Sequence, residues 1–326
     1  MSLRKISFLI LSLVLVFSAC KKDDDADDVV VVEENDRTEQ QVEDNEALLT
    51  YLESHYFNAS DFQGEDVNPN IGDLELTELL DGETLPEGSI LLSSLLNNAD
   101  ADFVLDAKEV VFAETDYIVY ILHLNDGGGD ESPHFCDDVR VRYEGFGLDG
   151  TVFDSAVNPV NLDLIDLIPA WRKVLTDFNS AETIADTADG TVDYSNHGAG
   201  VMFLPSGLGY FSSSLTDISA YSPLIFKFDL LQTTVNDHDF DGVPSYLEDL
   251  NGDGEFTVNF DDLEGDTTDD DTDGDGIPDY VDTDDDNDGV FSIFEDIDED
   301  GNPGNDIGAN GIAKYLDITE TESNQD

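Results

Sequence analysis

Three stretches of this chain repeat a single twelve-residue frame of acids. DHDFDGVPSYLE (Asp237 to Glu248), DTDGDGIPDYVD (Asp271 to Asp282) and DDDNDGVFSIFE (Asp284 to Glu295) each place acids at positions 1, 3 and 5, glycine at 6 and an acid at 12. The ligand sets are Asp237, Asp239, Asp241 and Glu248, then Asp271, Asp273, Asp275 and Asp282, then Asp284, Asp286, Asp288 and Glu295. This is the D-x-D-x-D-G-x5-E pattern of a calcium-binding loop: the glycine permits a sharp turn and the twelfth acid closes the coordination sphere. Two shorter frames, one from Asp249 and one made of Asp296, Asp298 and Asp300, lack the closing acid. The implied cofactor is Ca2+ in a structural role.

Adjoining frames, Asp237 with Asp249 and Asp271 with Asp284 and Asp296, start twelve or thirteen residues apart, which leaves no room for the flanking helices of an EF-hand. The segment instead resembles thrombospondin type 3 repeats, and Asp279 matches the extra acid of that family. Clustered carboxylates repel one another without cations, so folding of such a tail is expected to be coupled to calcium binding.

A second stretch, VRVRYEGFGLDGTVFDS from Val139 to Ser155, carries different chemistry. Val139, Val141 and Tyr143 alternate with Arg140, Arg142 and Glu144, the period of a strand with one face buried. Asp149-Gly150 then reads as a hairpin turn, with Phe153 and Asp154 just beyond it. Further on come PVNLDLIDLIPAWRKVL with the only tryptophan, PSGLGY, and the alternating SPLIFKFDLL. These four elements, in this order, resemble the core of FKBP-type peptidyl-prolyl isomerases. The resemblance implies a pocket for a prolyl ring enclosed by Tyr143, Phe153, Trp171, Tyr210 and Phe226. Leu167, Ile168 and Ile218 match its apolar rim, the Ile168 N–H and Tyr210 hydroxyl would hold substrate carbonyls, and Asp154 would orient the rim. Ala170 replaces a glycine of the family pattern, Val160 an aromatic residue, and Phe211 a glycine. No cofactor is implied for catalysis, and the implied partners are proline-containing polypeptide clients. The alternative is a catalytically weak scaffold or adhesion protein whose calcium repeats carry the function.

The elements that must position these residues give an α+β class: an FKBP-like antiparallel sheet wrapped on a short helix, followed by irregular calcium-loop repeats. Tyr117 to Leu124 (YIVYILHL) is β-branched and aromatic and reads as a strand leading into the Val139 strand. Asp44 is expected to cap a helix running to about Phe57, with Leu48, Leu49, Leu52 and Tyr56 on one face. The expected organisation is a signal peptide at 1–19, a lipidated tether at 20–43, an N-terminal helix and extension at 44–116, the FKBP-like domain at 117–235, the repeats at 236–306 and a tail at 307–326. The stretch 58–98 suggests no chemistry.

Composition restricts the partners. Of 326 residues, 77 are acidic and 12 basic, a formal net charge of -65 that repels nucleic acid and favours small cations. From Asp237 to Asp306 there are 28 acids and no Lys or Arg, so the acid is unevenly spread and densest in the tail. Arg4 and Lys5 precede an apolar run from Ile6 to Phe17 that ends in Ser18-Ala19-Cys20. This resembles a bacterial lipobox, which implies lipidation of Cys20 and membrane attachment through that anchor. Lys21 to Asp25 resembles the acidic export signal of Bacteroidetes surface lipoproteins, pointing to the outer membrane. Cys136 has no partner left for an intramolecular disulfide and is expected to be a small buried core residue.

Overall fold

The computed structural model describes residues 34–64, 67–98, 101–188, 190–259 and 269–325. The signal, lipobox and Cys20 readings lie outside the described residues. No described helix is long and apolar enough to cross a membrane.

Helix α1 (Arg37–Ser54) starts earlier than the sequence suggests. Its N-cap is Asp36, whose carboxylate accepts from the Glu39 N–H at 3.0 Å, and not Asp44. The seven residues from Arg37 to Glu43, expected in the tether, are therefore helical. Asp44 sits inside the helix, 2% exposed, because its carboxylate is committed to tertiary contacts. It accepts from Gln40 Nε2 at 2.8 Å, from the Ser206 N–H at 2.7 Å and from Ser206 Oγ at 2.6 Å. Leu48 and Leu52 are fully buried, Leu49 partly so. Tyr56 falls beyond the helix in strand β1 (His55–Phe57). The stretch 58–98 folds as β2 (Leu76–Glu78) and β3 (Ile90–Leu91), which pair antiparallel on either side of β1.

The main sheet begins at β4 (Val104–Phe112), upstream of the expected boundary at 117. It continues through β5 (Thr115–Asp126), β6 (Asp138–Gly147), β7 (Val152–Asp163), β10 (Gly198–Leu204) and β11 (Leu224–Thr234). Between β7 and β10 lie helix α2 (Pro169–Val174) and a small hairpin, β8 (Thr183–Asp186) with β9 (Val192–Ser195). The strand order is β4-β5-β10-β11-β6-β7, every pairing antiparallel.

Both faces of this sheet are covered. Tyr117, Val119 and Ile121 of β5 point to the face packed by α2, whereas Tyr120, Leu122 and Leu124 point to the face packed by α1. Double coverage explains why YIVYIL (Tyr117 to Leu122) runs without polar alternation, since a strand buried on both sides needs none. The loop from 176 to 198 is partly ordered as the β8–β9 hairpin. Cys136 is a free, fully buried thiol, as its isolation in the sequence suggests.

Candidate functional site

The aromatic cluster is assembled from three strands and one short helix. Pro169 occupies the first turn of α2, where a missing N–H costs nothing, and the helix then turns Trp171 onto the sheet. The Trp171 and Phe226 rings lie 5.3 Å apart at 65°, each residue only 3% exposed, and form the floor. Tyr143 stands edge-on to Trp171 at 5.6 Å, and Phe153 edge-on to Phe226 at 5.4 Å. Edge-to-face geometry of this kind adds about 0.5–1.5 kcal/mol per pair beyond the area buried. Leu167, Ile168 and Tyr210 pack partly buried against the cluster, and Ile218 is 6% exposed beside it.

The polar groups sit at the rim. Tyr143 Oη donates to Asp154 Oδ2 at 2.8 Å across the β6–β7 pair. Burial, then that hydrogen bond and the Asp154 charge, push the Tyr143 phenol up to about 12. Burial, followed by the same charge, also raises Tyr210. Both hydroxyls therefore remain protonated donors at neutral pH. Ile168 is the extended N-cap of α2, and among the described residues its N–H makes no hydrogen bond. One N–H and one hydroxyl are thus available to carbonyl oxygens above the Trp171 floor. A cavity of 260 Å³ opens beside Phe153 and Ile218. Larger depressions of 620 and 690 Å³ lie against α1, away from Trp171, and carry no comparable set of groups.

All nine residues expected at the pocket meet in this cluster. Sequence reasoning missed Gly145, which faces Phe226 across β6–β11 and Asp154 across β6–β7. A Cβ there would lie 2.5 Å from Phe226 Cε1 and 2.8 Å from Phe153 Cζ. The legible signal was a glycine inside an otherwise alternating strand, which marks close approach by a neighbour. Arg37 was also missed: its guanidinium reaches Tyr117 Oη at 3.1 Å and the Gly207 carbonyl at 3.2 Å, next to the Tyr210 turn.

The acid frames fold as turns closed by their own carboxylates. Asp271 accepts from the Gly274, Asp275 and Gly276 N–H groups, and Asp296 repeats the pattern with Asp300 and Gly301. The sixth-position glycines Gly242, Gly276, Gly289 and Gly301 have φ of +98°, +98°, +93° and +89°, which is where glycine is needed. Carboxylate oxygens converge to within 4.8 Å in four sets: Asp271, Asp273 and Asp275; Asp284, Asp286 and Asp288; Asp296, Asp298 and Asp300; and Asp239, Asp241 and Glu248 with Asp285. Asp285 was not expected.

Asp237, Asp279, Asp282 and Glu295 lie outside these sets. The Asp237 oxygens accept from the Phe240 and Gly242 N–H groups, Asp279 accepts from Thr272, and Asp282 from the Asp284 N–H. Glu295 is fully buried with both oxygens unpartnered. Burial, then the charges of Asp286, Asp288 and Asp284, push its carboxyl up to about 8. Full charges 4.8 Å apart would repel by about 3 kcal/mol per pair at an effective dielectric near 20. Oxygen-only sets of this kind suit a hard divalent cation.

The tail packs on the pocket domain. Glu255 takes Arg172 at 2.5 Å and Lys173 at 2.8 Å, the two residues that follow Trp171 on α2. Tyr246 stacks on His134 at 3.6 Å, Phe256 meets Phe135 at 5.0 Å, and His238 Nε2 meets Asp163 at 3.0 Å.

Over 112 residues the chain is 31% identical to the FKBP-type 22 kDa peptidyl-prolyl cis-trans isomerase of Escherichia coli (strain K12), an alignment covering 33% of this chain and 47% of the relative. The chain therefore has FKBP-type isomerase homology along that segment, and it spans about half the length of this curated relative. Among solved structures, it is similar to a peptidyl-prolyl cis-trans isomerase of Pseudomonas syringae pv. tomato str. DC3000, with 20% identity, TM-score 0.31 and coverage of 44% of this chain and 89% of that one. FkpA from Escherichia coli gives 24% identity, TM-score 0.30 and coverage of 36% and 48%. The three FKBP domains of wheat FKBP73 give 14% identity, TM-score 0.31 and coverage of 40% and 51%. The family model described as BamM C-terminal matches residues 238–324.

Proposed function

We propose that the chain is a prolyl cis-trans isomerase that assists the folding of exported or cell-surface proteins. The observation that carries this reading is the ring of partly exposed Tyr143, Phe153, Ile168 and Tyr210 over the buried Trp171–Phe226 floor. Amide resonance gives an X-Pro bond a rotation barrier of about 18–20 kcal/mol and isomerisation times of tens to hundreds of seconds. Resonance separates charge across oxygen, carbon and nitrogen, so an apolar, water-poor surface favours the twisted amide over the planar one. The aromatic rings supply that surface to the prolyl ring. The Ile168 N–H and Tyr210 hydroxyl hold the flanking carbonyls, and Asp154, fixed by Tyr143, orients the rim. Each tenfold gain in rate needs about 1.4 kcal/mol of preferential binding to the twisted state.

The test is cis-to-trans conversion of short X-Pro peptides by the full chain in detergent micelles, varying the residue before proline. Acceleration that disappears in Phe153→Ala supports the enzyme, and no acceleration with any peptide sinks it. That second outcome leaves the scaffold reading, which is favoured by the small 260 Å³ opening and by Phe211 occupying the lip where the family has glycine.

The tail reads as a calcium-stabilised spacer resembling thrombospondin type 3 repeats. Its carboxylates fit the ion: Glu248 and Glu295 are fully buried with unpartnered oxygens. Bound calcium would neutralise the acids and hold the loops, with no part in isomerisation. Cys20 would carry the lipid that attaches the chain to the outer membrane. Incorporation of labelled palmitate that is lost in Cys20→Ala tests the anchor.

A further inference from the structure

The first acid frame does not close on itself. Asp239, Asp241 and Glu248 converge with Asp285, a residue that follows Glu248 by more than thirty positions and belongs to the opposite end of the tail. We propose that these four carboxylates form one composite divalent-cation site that ties the 237–248 loop to the 284–295 loop. This rests on the calcium reading of the tail and changes its architecture: one of the ions is shared between frames.

The unpaired atoms carry the argument. Glu248 is 0% exposed and neither of its oxygens has a hydrogen-bond partner. Asp241 and Asp285 are each 1% exposed and each keeps one oxygen unpartnered, as does Asp239. The opposite oxygens are committed. Asp239 Oδ1 accepts from the Asp241 N–H at 3.2 Å, Asp241 Oδ1 from the Val243 N–H at 2.7 Å, and Asp285 Oδ2 from Ser292 Oγ at 3.0 Å. These hydrogen bonds fix the three aspartates with one oxygen of each left over, and Glu248 is left with both. Among the described residues, no Lys, Arg or His forms an ion pair with any of the four. Buried carboxylates without a partner are held by protons or by a cation. Five free oxygens, two of them from Glu248, approach the six to eight that calcium takes, and backbone or water can complete the set.

Glu248→Gln, Asp285→Asn and the double variant, each as the full chain in detergent after chelation, are titrated with Ca2+ by equilibrium dialysis. Each single variant should bind one ion fewer than the unmodified chain, and the double variant should lose no more than that. Full stoichiometry in Asp285→Asn, or loss of two ions in the double variant, overturns the shared site while leaving the calcium tail intact. Absence of calcium binding by the unmodified chain overturns both. The unmodified chain supplies a second readout that does not depend on a variant folding. Hydrogen exchange at 237–248 and at 284–288 should become protected over the same calcium range, and separated midpoints would overturn the proposal.

Discussion

The Arg37 guanidinium lies over the Phe211 ring, 4.1 Å from its centroid, so the first turn of α1 is tied to the lip of the aromatic site. Phe211 has φ +46°, is 6% exposed and meets Tyr221 edge-on at 5.1 Å. Left-handed backbone costs a non-glycine residue about 1–2 kcal/mol, which these contacts offset. Phe211→Ala loses the contacts and keeps the strain, and should destabilise by about 3 kcal/mol. Phe211→Gly loses the contacts but relieves the strain, and should recover about 1 kcal/mol of that. Urea unfolding midpoints check the order; alanine at or above glycine would refute the argument.

Gly145→Ala should damage the site more than its size suggests. The added methyl meets Phe226 and Phe153 at 2.5 and 2.8 Å, and neither ring can retreat without moving Trp171 or the hairpin. Overpacking of this kind costs about 1–3 kcal/mol. The expected result is a lower melting temperature together with loss of peptide isomerisation, and wild-type activity in this variant would show that the rings are not the site.

Tyr143→Phe keeps the ring and removes the hydroxyl that holds Asp154 at 2.8 Å. A net hydrogen bond is worth about 1 kcal/mol, so stability should fall by no more than about that, and the same loss of transition-state orientation would lower kcat/KM about fivefold. An unchanged kcat/KM would leave Asp154 without a positioning partner that matters.

Asp44→Ala leaves the buried Ser206 N–H and hydroxyl and the Gln40 amide without their acceptor. About 3 kcal/mol of destabilisation is expected, read from chemical denaturation, with Asp44→Asn losing less because it retains one acceptor oxygen. A loss below about 1 kcal/mol would mean that the Asp44 hydrogen bonds add little to the hold of α1 on the 205–223 connection, leaving it to Arg37 and apolar packing.

Burial, with the Asp137 charge beside it, pushes the Cys136 thiol well above its ordinary range. The reactive form is the thiolate. In a Cys20→Ser chain, a thiol reagent at pH 8 should therefore give no colour until denaturant is added. Rapid reaction of the folded chain would place Cys136 at the surface.

Local chemistry was legible in the sequence, and long-range chemistry was not. The acid frames show themselves because aspartate, glycine and turn lie within twelve residues, where backbone N–H groups and carboxylates meet whatever surrounds them. The pocket residues were legible through four elements whose order matches a known family, and the strand at Tyr117 through its β-branched run. Tertiary structure alone decided the rest. Asp44 reads locally as a helix cap, but Ser206, more than 160 residues away, claims its carboxylate and Asp36 takes the cap. The second covered face of the sheet arises because α1 packs there, and no period in the helix names its partner. Asp285 reads as a spare acid beside Asp284, and only the meeting of two distant loops turns it toward Glu248. Spacing along a chain fixes what neighbours can do within a turn or two. Which carboxylates share one buried volume depends on how the chain closes, and that is set by packing summed over the whole fold.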